Sequence, residues 1–218
     1  MLVKDCMTRH PVMVPPNTPI TEAQQIMAEN NIRHLPVAGD GKRLLGLVTR
    51  QRLSLKPDAM ASLDVWEITR YLSELKVGDV MLKAPDVITI EPERTIERAA
   101  KYMTDHKIGC LPVVEEGIVV GILTEIDVLR TFQEILGLPA EGVRVTVRMP
   151  DREGEFAKLT TVLARYRLGI MGVGSYPSPR CPGYYDMVLK IPRVTVIEIE
   201  KILGDIPDQE IIDIREVV

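Results

Sequence analysis

Apolar residues recur along the first 135 positions in an order that occurs twice. Ile20, Ala23 and Met27 fall at i, i+3 and i+7, and Ile96, Ala99 and Met103 do the same, which predicts one amphipathic helix per copy. Apolar stretches at 12–14 and 87–90 precede these helices and predict short extended segments. Two apolar strands follow, LPVA and LLGLV in the first copy, LPVV and IVVGIL in the second, with Gly41 or Gly117 at the turn between them. A further helix is expected to begin near Thr49 or Thr124. Thr18 ahead of Pro19 reads as an N-cap with proline at the first helical position.

The two copies also agree residue by residue. Val3, Asp5 and Met7 match Val77, Asp79 and Met81, and Pro11 matches Pro85. Ile32, Leu35, Pro36 and Val37 match Ile108, Leu111, Pro112 and Val113, while Gly46 and Thr49 match Gly121 and Thr124. So many matches in one order identify an internal repeat. Each repeat predicts a β-α-β-β-α unit, over 1–54 and 77–136, and the two are expected to pair about a shared cleft. Between them, 55–76 reads as a linker helix with Val65, Ile68, Leu72 and Leu75 on one face and Trp66 beside them.

Beyond about 141 the period changes. Val143, Val145 and Val147 alternate with Arg144, Thr146 and Arg148, as in a half-buried strand. A helix with Phe156, Leu159, Val162, Leu163 and Tyr166 on one side follows, ended by Gly169. Strands at 170–176, 184–191 and 212–217 and a helix around Val196, Ile199 and Leu203 complete a β-α-β-β-α-β order, ferredoxin-like, over 142–218. The predicted class is α+β.

Charge narrows the function. Across 218 residues, 27 Lys and Arg face 31 Asp and Glu, a net charge of -4, so no overall basic field draws the chain to nucleic acid or anionic membrane. There is no apolar run of about 20 residues, and the polar, proline-broken start MLVKDCMTRHP does not read as a signal peptide, so a cytoplasmic protein is expected. Cys6, Cys110 and Cys181 lack CxxC spacing and are expected to be buried reduced thiols, and His10, His34 and His106 offer no metal-ligand spacing. With no GxSxG, HExxH or Walker loop, catalysis is not expected.

The sharpest local signal is GILTEID, 121–127. Thr124 stands where a strand enters a helix, a place suited to phosphate, and Asp127 one turn later could accept hydrogen bonds from vicinal hydroxyls. Thr-x-x-Asp equally fits a capping box, and the two readings are compatible. The first copy carries Arg52 in place of the acid and so lacks that acceptor.

IRHLPV and GLVT, with IGCLPVV and GILTEID, resemble a tandem pair of CBS motifs (cystathionine-β-synthase domains) over most of residues 1–135. The segment after them resembles an ACT domain through Asp151, Gly154 and Gly169, although Glu153 replaces the proline usual before the loop glycine. The domain order and the joining IDVLRTFQEILG are similar to those of bacterial acetoin-utilisation proteins. The CBS resemblance implies an adenosine ligand, with Asp127 on ribose, Thr124 near phosphate, and adenine near Thr89 and the backbone of Gly109, Cys110 and Leu111. It also implies that Arg33 and His34 face phosphate. AMP, ATP, NAD or S-adenosylmethionine would serve as a regulatory ligand, one per chain, with no required cofactor. The ACT resemblance implies an amino-acid-type ligand at the loop Asp151, Glu153 and Gly154, and both families imply a homodimer. The expected function is a sensor that signals to a partner enzyme or to the ACT-like domain; the alternative is a dimerisation scaffold with degenerate sites.

Overall fold

The computed structural model describes residues 1–53, 74–138 and 140–217. Most of the expected linker helix, including Val65, Trp66, Ile68 and Leu72, lies outside the described residues. The chain divides into two compact units, Met1–Val128 and Leu129–Val218.

In the first unit the elements are α1 (Val3–Cys6), β1 (Thr8–Arg9), α2 (Ile20–Glu29), β2 (His34–Ala38), β3 (Leu44–Thr49) and α3 (Arg50–Leu53). The second copy supplies α4 (Val77–Val80), β4 (Leu82–Lys83), α5 (Ile96–His106), β5 (Cys110–Glu115), β6 (Ile118–Thr124) and α6 (Glu125–Ile135), within which the division between units falls. The expected extended segments reduce to single parallel bridges, Val14 to Val37 and Ile90 to Val113.

The two repeats exchange their leading strands. β1 pairs with β6 in a sheet ordered β1-β6-β5, and β4 pairs with β3 in a sheet ordered β2-β3-β4. The two units expected to pair side by side are thus interlocked: each sheet is completed by the start of the other copy. The repeated Val-x-Asp-x-Met explains how. Val3 and Val77 are fully buried, and their N–H groups donate across to the other copy, to Arg94 O at 2.8 Å and Thr18 O at 2.9 Å. Asp5 and Asp79 each accept the backbone N–H of the residue before their short helix, at 2.9 Å. Met7 and Met81 lie against the backbones of Gly121 and Gly46, where any β-carbon would also strike the incoming strand at Thr8 O or Leu82 O. Glycine stands at these two positions because the exchanged strand leaves no room for a side chain.

The helix stripes pack as their periodicity requires. Ile20, Ala23 and Met27 are buried with Leu35, Val37 and Val48, each large aliphatic contributing about 1.5–3 kcal/mol of burial. A second cluster joins the two repeats, with Leu44 and Leu47 against Val119, Ile122, Val87 and Cys110. Thr18 is not an N-cap: Pro19 holds that position without a side-chain bond, and the buried Thr18 uses its carbonyl for Val77. In the second copy Thr95 does cap, accepting the Arg98 N–H at 3.3 Å.

The second unit contains β7 (Gly142–Pro150), α7 (Glu155–Arg165), β8 (Gly172–Pro177), β9 (Tyr184–Ile191), α8 (Val196–Leu203) and β10 (Glu210–Val217). Its antiparallel sheet is ordered β10-β7-β9-β8, the order a split β-α-β arrangement gives. Val143, Val145, Val147 and Met149 meet Leu159 and Leu163 of α7 and Ile199 and Leu203 of α8 in one core. Two expectations fail locally. Phe156 and Tyr166 are 42% and 59% exposed, so the buried stripe of α7 is narrower than its apolar content suggests. The helix is closed by Arg167 in the left-handed region, with Leu168 N–H returning to Leu163 O, and not by Gly169.

Candidate functional site

Three element starts converge at the junction of the two repeats: β2 just after Arg33, β5 just after Gly109, and α6 at Glu125. Arg33 Nη2 lies 3.3 Å from Glu125 Oε1. A β-carbon at Gly109 would stand in ordinary contact with both, 3.4 Å from Glu125 Oε2 and 3.6 Å from His34 Cε1, so the two side chains meet over this residue. Around them opens a cavity of about 850 Å³, with Leu47, Leu82, Val87 and Ile88 forming apolar wall. That size falls in the range of small-ligand pockets, about 300–1,000 Å³.

The cavity is positively biased. Arg33, Arg50, Arg52 and Lys107 line it against Asp86 and Glu125, four fixed cations to two carboxylates. Arg50 also donates to Ile32 O and Arg52 to Val80 O, both at 3.4 Å, which holds these guanidinium groups at the rim. Burial pushes the His34 pKa down, helped by Arg33 and opposed by Glu125, so His34 is neutral near pH 7. Burial, with a contribution from Glu125, pushes the Cys110 thiol up to about 12. Cys110 is therefore packing and not a nucleophile.

Thr124 and Asp127 occupy a different position. Asp127 Oδ2 accepts the Thr124 N–H at 2.9 Å and its hydroxyl at 2.7 Å, while Thr124 Oγ1 accepts the Asp127 N–H at 3.4 Å. This is a reciprocal capping box. Asp127 is two residues from Glu125 and so about 200° around the helix, and neither it nor Thr124 is among the residues lining the cavity. In the first copy Thr49 Oγ1 accepts the Arg52 N–H at 3.3 Å, but arginine cannot return the bond.

The eight residues expected around one nucleotide thus separate. Arg33, His34, Gly109 and Cys110 come together, but with Thr49 and Arg52 of the first copy. Thr124 and Asp127 face elsewhere. Thr89 lines another cavity of about 580 Å³ beside Glu91, Glu93, Glu115 and Glu116, and Leu111 is fully buried. Sequence reading missed Glu125, Lys107 and Asp86; an acid in the first turn of α6 was the visible sign of the first.

In the second unit the residues of the expected small-molecule loop precede α7. Gly154, at φ 87°, is the N-cap of α7 and makes no side-chain cap; Asp151 donates its N–H to Gly183 O at 2.8 Å and does not cap, and Glu153 is exposed. The buried acid is Glu155, which the sequence reading passed over. Lys158 at 2.7 Å, Gln209 at 3.1 Å and Arg152 at 2.6 Å hold its pKa down to about 2. Lys158 also lines a groove of about 740 Å³ between α7 and α8, with Gly154, Arg165 and Lys201.

The three cysteines are free thiols; Cys110 is buried, whereas Cys6 and Cys181 are partly exposed. Among the described residues no group of three or more His, Cys, Asp or Glu side chains could hold a metal, and no helix is long and apolar enough to cross a membrane.

A sequence profile of the CBS domain matches residues 3–55 and 77–134, together just over half of the chain. Among solved structures, the protein described as an acetoin utilization protein, AcuB, from Vibrio cholerae is 34% identical with a TM-score of 0.53, covering 63% of this chain and 94% of that one. CBSX2 in complex with AMP is 28% identical with a TM-score of 0.51, covering 62% of this chain and 97% of that one. Among curated proteins, L-aspartate semialdehyde sulfurtransferase of Methanocaldococcus jannaschii is 30% identical over 132 residues, 60% of this chain and 23% of that protein. Inosine-5'-monophosphate dehydrogenase of Korarchaeum cryptofilum is 36% identical over 121 residues, 55% of this chain and 22% of that protein. The chain spans under a quarter of the length of these two relatives, in each case less than the part that would be needed to carry over their activities.

Proposed function

This chain belongs to the CBS-domain family, and from that premise we propose that its first unit is a non-catalytic sensor whose cleft binds an adenine nucleotide or adenosyl compound. The observation that carries the reading is the cavity at the junction of the repeats, where four cations meet two carboxylates above an apolar wall. Cations suit phosphate and the apolar wall suits a base. AMP is bound by CBSX2, a solved structure similar to this chain.

In this proposal the phosphates rest among Arg33, Arg52 and Lys107, with neutral His34 as a hydrogen-bonding neighbour. Asp127 faces away from this cavity, so its role as ribose acceptor belongs to a separate position beside α6, where ribose hydroxyls replace its bonds to Thr124; the Arg52 copy has no such acceptor, so one ribose is held per chain. AMP, ATP, NAD and S-adenosylmethionine are the candidates. Binding shifts the pair between two arrangements and is read by a partner enzyme or by the second unit; such a shift requires different affinity in the two arrangements. The β-α-β-β-α-β order of the second unit supports reading it as ACT-like, a homodimerisation element with a small-molecule loop at Asp151, Glu153 and Gly154. Similarity to AcuB supports a cytoplasmic role in acetoin utilisation. Mass spectrometry of small molecules released from the unfolded protein, followed by calorimetry with the four candidates, tests the reading; absence of binding by all of them overturns it.

One observation favours a second reading, a dimerisation scaffold without nucleotide. Asp127 Oδ2 is already engaged by both donors of Thr124, so capping alone accounts for that pair. A scaffold predicts no rise in melting temperature with any nucleotide, whereas a tight ligand raises it by mass action.

A further inference from the structure

Glu125 is the anomaly of the cleft. It is one of two acids, with Asp86, among the charged residues lining the cavity, and it points its carboxylate at Arg33, across the repeat boundary, at 3.3 Å. Both side chains are about half exposed, 58% for Arg33 and 51% for Glu125, so water screens the pair and a stronger anion can displace the carboxylate. The Glu125 carboxylate lies near Gly109 and beside His34 in the cavity lining. With His34 neutral, the fixed charges lining the cavity sum to four positive and two negative, and Glu125 supplies half of the negative charge.

We propose that Glu125 is a specificity-determining residue: an internal anion that occupies the Arg33 subsite and limits how much phosphate charge the cleft accepts. A triphosphate has to displace Glu125 or lie beside it, against like-charge repulsion. The inference deepens the sensor reading and rests on it for the identity of the ligand, but its electrostatic part concerns any polyanion.

The experiment uses the full chain and three proteins, the wild type, Glu125→Gln and Arg33→Gln. Inorganic tripolyphosphate, 5'-methylthioadenosine, AMP and ATP are titrated into each by calorimetry at fixed low salt, with circular dichroism and melting temperature to verify folding. Glu125→Gln is expected to tighten tripolyphosphate and ATP by about tenfold, AMP by less, and the uncharged thioether not at all. Arg33→Gln is expected to weaken the anions without changing their order. Equal gains for the charged and uncharged ligands, or no gain for tripolyphosphate, overturn the proposal. Tripolyphosphate binding with the Glu125 effect but no nucleotide binding would sustain the gate while removing the adenosine reading. No binding of any anion by any of the three folded proteins would remove both.

Discussion

Asp186 on β9 accepts two parallel hydrogen bonds from Arg148 on β7, from Nε at 2.8 Å and Nη2 at 3.0 Å, with the carboxylate side chain only 4% exposed. The two residues sit directly opposite in the sheet register, so the guanidinium fork meets the carboxylate without distorting either strand. Arg148 Nη1 reaches Cys181 Sγ at 3.3 Å as well, tying the turn before β9 to the same group.

Removing one partner strands the other. Asp186→Ala should destabilise the second unit by about 3–5 kcal/mol, read as a lower urea midpoint for that unit, and replacing both residues by apolar ones should cost far less. The same pair sets an acid limit. Arg148 holds the Asp186 carboxyl below its ordinary value, and Lys158, Gln209 and Arg152 hold Glu155 down to about 2. Groups with depressed folded-state pKa values contribute stability above their unfolded pKa and lose it as pH falls through the folded value. The second unit should therefore be insensitive to pH from neutrality to about 4.5 and lose stability from there to about 2; a circular-dichroism titration flat through that window contradicts the assignment.

Asp127 carries two roles that substitution can separate. Asp127→Ala removes the cap and the ribose acceptor together, at about 0.5–2 kcal/mol of stability and about ten- to a hundredfold in nucleotide affinity. Asp127→Asn keeps an oxygen for the Thr124 N–H but loses the charge, so it should recover most of the melting temperature and little of the affinity. Recovery of both together would mean that Asp127 acts only as a cap.

Arg52→Asp should give the first repeat what the second has. The new carboxylate would stand opposite Thr49 as Asp127 stands opposite Thr124, stabilising α3 by about 0.5–1 kcal/mol and adding a second ribose acceptor. Calorimetric stoichiometry for the uncharged 5'-methylthioadenosine should rise from one per chain to two, while phosphate-bearing ligands lose the Arg52 cation. A wild type that already binds two equivalents would show that arginine at this position does not discriminate.

The Cys110 thiol, pushed up to about 12 by burial, should resist alkylation at pH 8 while the protein is folded. Iodoacetamide followed by peptide mapping should label the partly exposed Cys6 and Cys181 and reach Cys110 only after denaturation. Early labelling of Cys110 would mean that the cleft wall opens.

Much of the fold was legible because both repeats announce themselves in apolar spacing, and Val143, Val145 and Val147 are buried on β7 as their alternation requires, although Thr146 between them is buried too. The exchange of strands was not legible, for β1 and β4 are two residues long and too short to carry a period. Gly46 and Gly121 held the clue, since a glycine inside a strand marks close backbone approach. At the site, the types were visible and their sides were not: Glu125 and Asp127 are neighbours in sequence that diverge around a helix, and only one of them lines the cationic cavity. Glu155 escaped because a charged residue at a helix start reads as surface until three partners are found around it.

The exchanged strands also constrain how such a chain could have arisen. A lone ancestral repeat would have carried an open sheet edge at the position of Gly46 or Gly121 and a leading strand with nowhere to lodge. A second repeat fills the one and receives the other. Neither half of the first unit closes its own sheet, so the two can differ at Arg52 and Asp127 without either having to fold alone.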